Sequence, residues 1–111
     1  MRKTALRKVS VIRQKQLVEY NMLVNKLREL CGNKSELSGK VADVWSNYMV
    51  EPHHINGRTG KRLLDPFGII LLRRDEHDIE EGKIKGNKVG KEKLSEMVYD
   101  IRILQGFKKE V

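Results

Sequence analysis

The residues of this 111-residue chain most open to chemistry are its three histidines: His53 and His54 are adjacent, and His77 follows beyond a turn-rich loop and an apolar run. The pair sits in Met49-Val50-Glu51-Pro52-His53-His54-Ile55, which reads as extended, because Pro52 biases Glu51 away from the α region. Neighbours in a strand point to opposite sides, so the two imidazoles must play different parts. Phosphodiester hydrolysis has use for that division. One neutral imidazole can take a proton from water, while the other helps hold a divalent ion that neutralises the phosphate oxygens and the leaving oxygen. His54 suits the base and His53 the ligand.

The elements that must position these groups can be read from spacing. Between Ile12 and Leu30, the residues Leu17, Tyr20, Leu23, Val24, Leu27 and Leu30 recur every three or four positions, an amphipathic helix with Gly32 as its left-handed stop. A second such helix is expected from Lys91 to Gln105, with Leu94, Met97, Val98, Ile101 and Leu104 on one face and Gly106 after it. Between the helices, Asn56-Gly57-Arg58-Thr59-Gly60 is a turn-rich loop, and Phe67-Gly68-Ile69-Ile70-Leu71-Leu72 reads as a mostly buried strand that could pair with the first. Asp75-Glu76-His77-Asp78-Ile79-Glu80-Glu81 starts a short helix, with Asp75 as expected N-cap and Gly82 as stop. Glu81 lies one turn after His77 on the same face, placed to supply a further oxygen to an ion, directly or through a water. Asp78 is a weaker candidate. Lys83 to Gly90 reads as a flexible basic loop.

Composition narrows the function classes. The length suits one small domain rather than two, and 39% hydrophobic with 34% charged residues of both signs describes a folded, polar domain. Twenty-three Lys and Arg against fifteen Asp and Glu leave a net charge of +8. The basic excess lies in residues 1–30 and 82–111 around a slightly acidic centre, a layout suited to a cation in the middle and a phosphate backbone across the flanks. Cys31 alone can form neither an internal disulfide nor a cysteine-rich zinc site. No apolar run suggests a signal peptide or a membrane span, so a cytoplasmic protein without membrane contact is expected. Gly86-Asn87-Lys88-Val89-Gly90-Lys91 is one residue short of a P-loop and lacks its Ser or Thr. Trp45 and Tyr48 are expected as core anchors, with base stacking as the alternative use.

The stretch Glu51-Pro52-His53-His54-Ile55-Asn56-Gly57-Arg58, then Leu64-Asp65-Pro66, then Ile69-Ile70-Leu71-Leu72-Arg73-Arg74-Asp75-Glu76-His77 resembles the HNH, or His-Me finger, nucleases, particularly phage members. The resemblance spans residues 48–81 and implies a ββα finger gripping one divalent ion. It implies His53 and His77 as metal ligands, His54 as the general base that activates water, and Arg58 as a phosphate-holding group at the catalytic centre. In this register Gly68 stands in the place of the family's central asparagine, which braces the loop orienting the base. Asn56 or Asp65 is then expected to supply that hydrogen bond. Arg73 and Glu76 replace the cysteines that many relatives use for a structural zinc, so none is expected. The hairpin must then be held by packing.

These readings give a single α+β domain: a basic helix within residues 1–30, a ββα finger in 48–81 and a closing helix in 91–106. The expected function is metal-dependent endonucleolytic cleavage of DNA with low sequence specificity, in phage or bacterial recombination, repair, restriction or packaging. The compartment implied is the bacterial cytoplasm. Mg²⁺ is the expected ion, with Mn²⁺ or Ni²⁺ as alternatives. Arg58, Lys61, Arg62, Lys83, Lys85 and Lys88 are the expected DNA-binding bases, contacting backbone rather than base edges. The alternative is an inactive finger that only binds nucleic acid or protein. The Leu17–Leu30 stripe could also pair two copies of the chain as a homodimer.

Overall fold

A computed structural model describes residues 2–57 and 60–109 of the chain. It is an α+β structure of three α-helices and one two-stranded antiparallel sheet. Helix α1 spans Arg2–Cys31, strand β1 Glu51–His54, strand β2 Ile69–Leu72, helix α2 Arg74–Glu80 and helix α3 Lys91–Leu104. Short 3₁₀ turns lie at Val44–Ser46, Gly60–Leu64 and Pro66–Gly68. No described helix is long and apolar enough to cross a membrane.

Each α-helix stops in the same way. After α1, Gly32 at φ +65° lets its N–H reach Glu29 O while the N–H of Asn33 reaches Arg28 O. Gly82 and Lys83 repeat the pattern on Ile79 and Asp78, as do Gly106 and Phe107 on Ile103 and Arg102. This is the Schellman closure, which satisfies two otherwise orphaned carbonyls at a helix end. The glycine stops read from the sequence are therefore all used. The N-cap of α2 differs from expectation: the helix starts after Arg73, not Asp75. Glu76 Oε1 accepts the Arg73 N–H at 2.9 Å and Ser46 Oγ accepts the Arg74 N–H at 2.7 Å, so two first-turn donors are satisfied without Asp75.

The hairpin pairs Glu51 with Leu72, Pro52 with Leu71, His53 with Ile70 and His54 with Ile69. The pleat sends Ile69 and Leu71 toward Tyr20, Val24 and Leu27 of α1, and Ile70 and Leu72 toward Leu94 and Val98 of α3. All four β2 residues are fully buried. The second strand is thus packed on both faces, and the run expected from Phe67 begins only at Ile69 because Asp65 caps a 3₁₀ turn through Phe67 N–H.

Two apolar stripes are narrower than the sequence suggested. Leu30 is 45% and Leu104 88% exposed. The buried row of α3 runs Leu94, Val98, Arg102, with an arginine where periodicity favoured Leu104. Arg102 is completely buried and its five N–H donors are all used: Nε on Pro66 O, Nη1 on Glu36 Oε2 and Gln105 Oε1, and Nη2 on Glu36 Oε1 and Ile69 O. Glu36 in turn donates its N–H to Leu71 O and accepts the Leu71 N–H on Oε1. The pair closes the outer edge of β2, which would otherwise expose unpaired backbone groups. The hairpin is therefore held by a buried ion pair as well as by packing.

Candidate metal centre

The pleat that sorts the strand's apolar residues also sorts its histidines. Glu51 and His53 share the face covered by α2, while Pro52 and His54 share the face toward α1. His53 meets His77 edge to face with ring centroids 5.1 Å apart, and His54 lies 5.5 Å from the Tyr20 ring.

On the α2 side, His53, His77 and Glu81 each offer one donor atom, all within 4.8 Å of one another. Donors around one ion at about 2.1 Å stand roughly 3 to 4 Å apart, so the group is near the size of a metal site. The group could hold a metal ion. His77 Nε2 lies 2.8 Å from Glu81 Oε1, the one-turn spacing read from the sequence. Its other nitrogen, Nδ1, lies 3.1 Å from Glu51 Oε2. A carboxylate on the far nitrogen fixes tautomer and ring orientation, the usual support of a ligating histidine. Arg74 Nε holds Glu51 in turn through Oε1 at 2.9 Å.

The donor chemistry fits a cation. Burial, reinforced by the nearby His77, pushes the His53 imidazole below its ordinary value of 6.5, which favours the neutral form that a metal requires. His53 Nδ1 is buried without a hydrogen-bond partner among the described residues. The Lys83 ammonium, 3.0 Å from Glu81 Oε2, holds that carboxyl below the usual carboxylate range.

Tyr20, Pro52, His54, Gly57, His77 and Glu81 line a cleft of about 330 Å³. The base candidate His54 and two of the three metal-ligand candidates therefore border one space. Arg58 lies outside the described residues, as does the side chain of Lys61. Arg62 is exposed and donates from Nη1 to Asn56 O at 3.0 Å, so it braces the loop after β1. The Asp65 side chain caps the turn before β2 by accepting the Phe67 N–H at 3.0 Å. Lys85 and Lys88 are exposed, and Lys83 adds a positive charge at the rim through Glu81.

The basic loop expected to be flexible is anchored at its far end. Glu80 accepts the N–H groups of Val89 and Gly90 at 2.7 and 3.1 Å, and Gly86 packs so closely that an added Cβ would lie 2.7 Å from Ile79 Cδ1. Cys31 takes no part in the site; burial raises its thiol pKa and its Sγ bonds to Arg28 O. Glu51 is the residue that the sequence reading missed. Its signal was position alone: two residues before His53, on the same side of the strand.

No family model, curated protein or solved structure matches the chain.

Proposed function

We propose that the chain is a metal-dependent endonuclease of the HNH type that hydrolyses DNA. The observation that carries this reading is the division of labour between two adjacent histidines: His53 joins His77 and Glu81 in one donor group, while His54 borders the same cleft from the opposite face. The β1, β2, α2 succession fits the ββα finger implied by the sequence resemblance.

In this reading His53, His77 and Glu81 hold a divalent ion, Mg²⁺ first among Mn²⁺ and Ni²⁺, which supplies charge neutralisation for the phosphate and the leaving oxygen. His54 accepts a proton from water, the resulting hydroxide attacks phosphorus, and the P–O bond to the leaving oxygen breaks. Glu51 fixes the His77 ring, and Arg74 fixes Glu51. Lys85, Lys88 and Arg62, all exposed, hold the phosphate backbone without reading sequence. Cleavage of plasmid DNA at low salt, present with Mg²⁺ or Mn²⁺ and abolished by EDTA, tests the proposal.

A second reading, an inactive finger that only binds, is favoured by Gly68. That position carries no side chain to brace the catalytic loop, and Arg62 does so through a backbone carbonyl instead. Unimpaired nucleic-acid binding without cleavage under any metal would select it.

A further inference from the structure

Trp45 and Tyr48 are not core anchors. They are 81% and 65% exposed, on a loop whose backbone is unusually constrained. Asn47 and Tyr48 both lie in the left-handed region, at φ +51° and +58°, a conformation that costs energy for residues with a Cβ and persists only where the surroundings impose it. Here they do. Asn33 Nδ2 donates to Tyr48 O at 2.6 Å, Asn33 Oδ1 accepts from Val50 N, and the Tyr48 N–H reaches Asp43 O at 2.8 Å. Asp43 is itself paired with Arg73. The fold thus fixes the backbone that carries two large aromatic rings out into water.

The surroundings say what would cover the rings. Lys34 and Lys40 are exposed nearby in the fold and pair with no acid among the described residues: Lys34 bridges to Val41 and Lys40 precedes it. Of the neighbouring acids, Glu36 is occupied by Arg102, Asp43 and Asp75 by Arg73, and Glu51 by Arg74 and His77. The patch therefore combines exposed aromatic faces with the two unpaired ammonium groups of Lys34 and Lys40, the combination that binds unpaired nucleobases and their backbone. It also joins the metal centre through short contacts, since Arg74 links Ser46 of the loop to Glu51, and Glu51 to His77.

We propose that Trp45 and Tyr48 form a stacking platform for unpaired bases, so that the chain engages single-stranded or branched DNA beside its metal centre. This rests on the reading of the chain as a nucleic-acid enzyme. Trp45 is the chain's one tryptophan, so its emission reports the platform directly. The experiment titrates the full chain, in EDTA, with an oligothymidylate of about twelve nucleotides and with a blunt duplex of similar length, following both Trp45 emission and the anisotropy of labelled DNA. The single strand is expected to quench the emission. Trp45→Ala and Tyr48→Gly are expected to weaken single-strand binding about 10-fold or more while leaving duplex binding within about two-fold. Tyr48→Gly removes the strained Cβ, so thermal stability is held or raised while binding falls, which separates a binding role from a structural one. Single-strand binding by anisotropy with unchanged emission, or with both variants equal to wild type, overturns the platform and leaves the nuclease proposal standing. Loss of self-association in Trp45→Ala, with single-strand binding unchanged, would make the patch an interface between copies and also overturn it. Failure to bind any nucleic acid at low salt overturns both proposals.

Discussion

Glu51 Oε2 lies 3.1 Å from His77 Nδ1, on the side of the ring opposite Glu81. A residue from the first strand thereby sets the orientation of a candidate ligand on the helix that follows the second. Glu51→Gln keeps the shape but replaces the carboxylate, and metal affinity should fall about 10- to 100-fold without loss of folding. Calorimetric titration with Mn²⁺ measures it. Affinity equal to wild type would mean that Glu51 does not position His77.

The Glu36–Arg102 pair is sealed from solvent, with side-chain exposures of 2% and 0%. Removing one partner strands a charge, so Arg102→Met should cost about 3–5 kcal/mol in urea unfolding. Glu36→Gln placed in the same chain neutralises the stranded carboxylate, still accepts the Leu71 N–H, and should recover a large part of that cost. A single-variant cost below about 1 kcal/mol would place the pair among ordinary surface bridges.

Gly86 is required by contact, because Ile79 Cδ1, Cγ1 and Cγ2 all lie within 3.0 Å of the place its Cβ would occupy. Gly86→Ala should destabilise by about 1–3 kcal/mol. Adding Ile79→Ala should make the two changes strongly non-additive in the same unfolding assay. Simple additivity would show that the loop between α2 and α3 does not rest on Ile79.

In the metal-free protein, the imidazole of His53 titrates below its unfolded value of 6.5. Above pH 6.5 both states leave it neutral, and its contribution to stability is fully present. As pH falls the unfolded chain takes up the proton first, so that contribution is lost between 6.5 and the lower folded value. Wild type should therefore lose more stability than His53→Gln on acidification from neutral pH to about 5 in EDTA, by paired urea titrations. Parallel losses would contradict it.

The sequence was most informative where one residue type has one structural use. Gly32, Gly82 and Gly106 mark three helix ends because each must adopt positive φ. His53 and His54 could be assigned to opposite faces because a strand's period is two. Glu81 followed from helical spacing after His77. Arg102 escaped notice because hydropathy counts it as surface, and only Glu36, far away in an irregular segment, makes its burial favourable. Glu51 was overlooked for a related reason: its partner His77 comes from another element. Trp45 and Tyr48 were expected inside because aromatic residues are scarce in this chain, but both are exposed.

The proposed nuclease reaction depends on His54 acting apart from the ion-holding group. The most direct measurement is single-turnover cleavage of labelled DNA by wild type, His54→Ala and His77→Ala with Mg²⁺ and Mn²⁺, alongside metal and DNA affinities of each. His54→Ala should lose cleavage by about 100-fold or more while binding metal and DNA like wild type, and His77→Ala should lose metal binding and cleavage together. Cleavage by His54→Ala at the wild-type rate, or a wild-type protein that binds DNA and never cuts it, would contradict the nuclease reading.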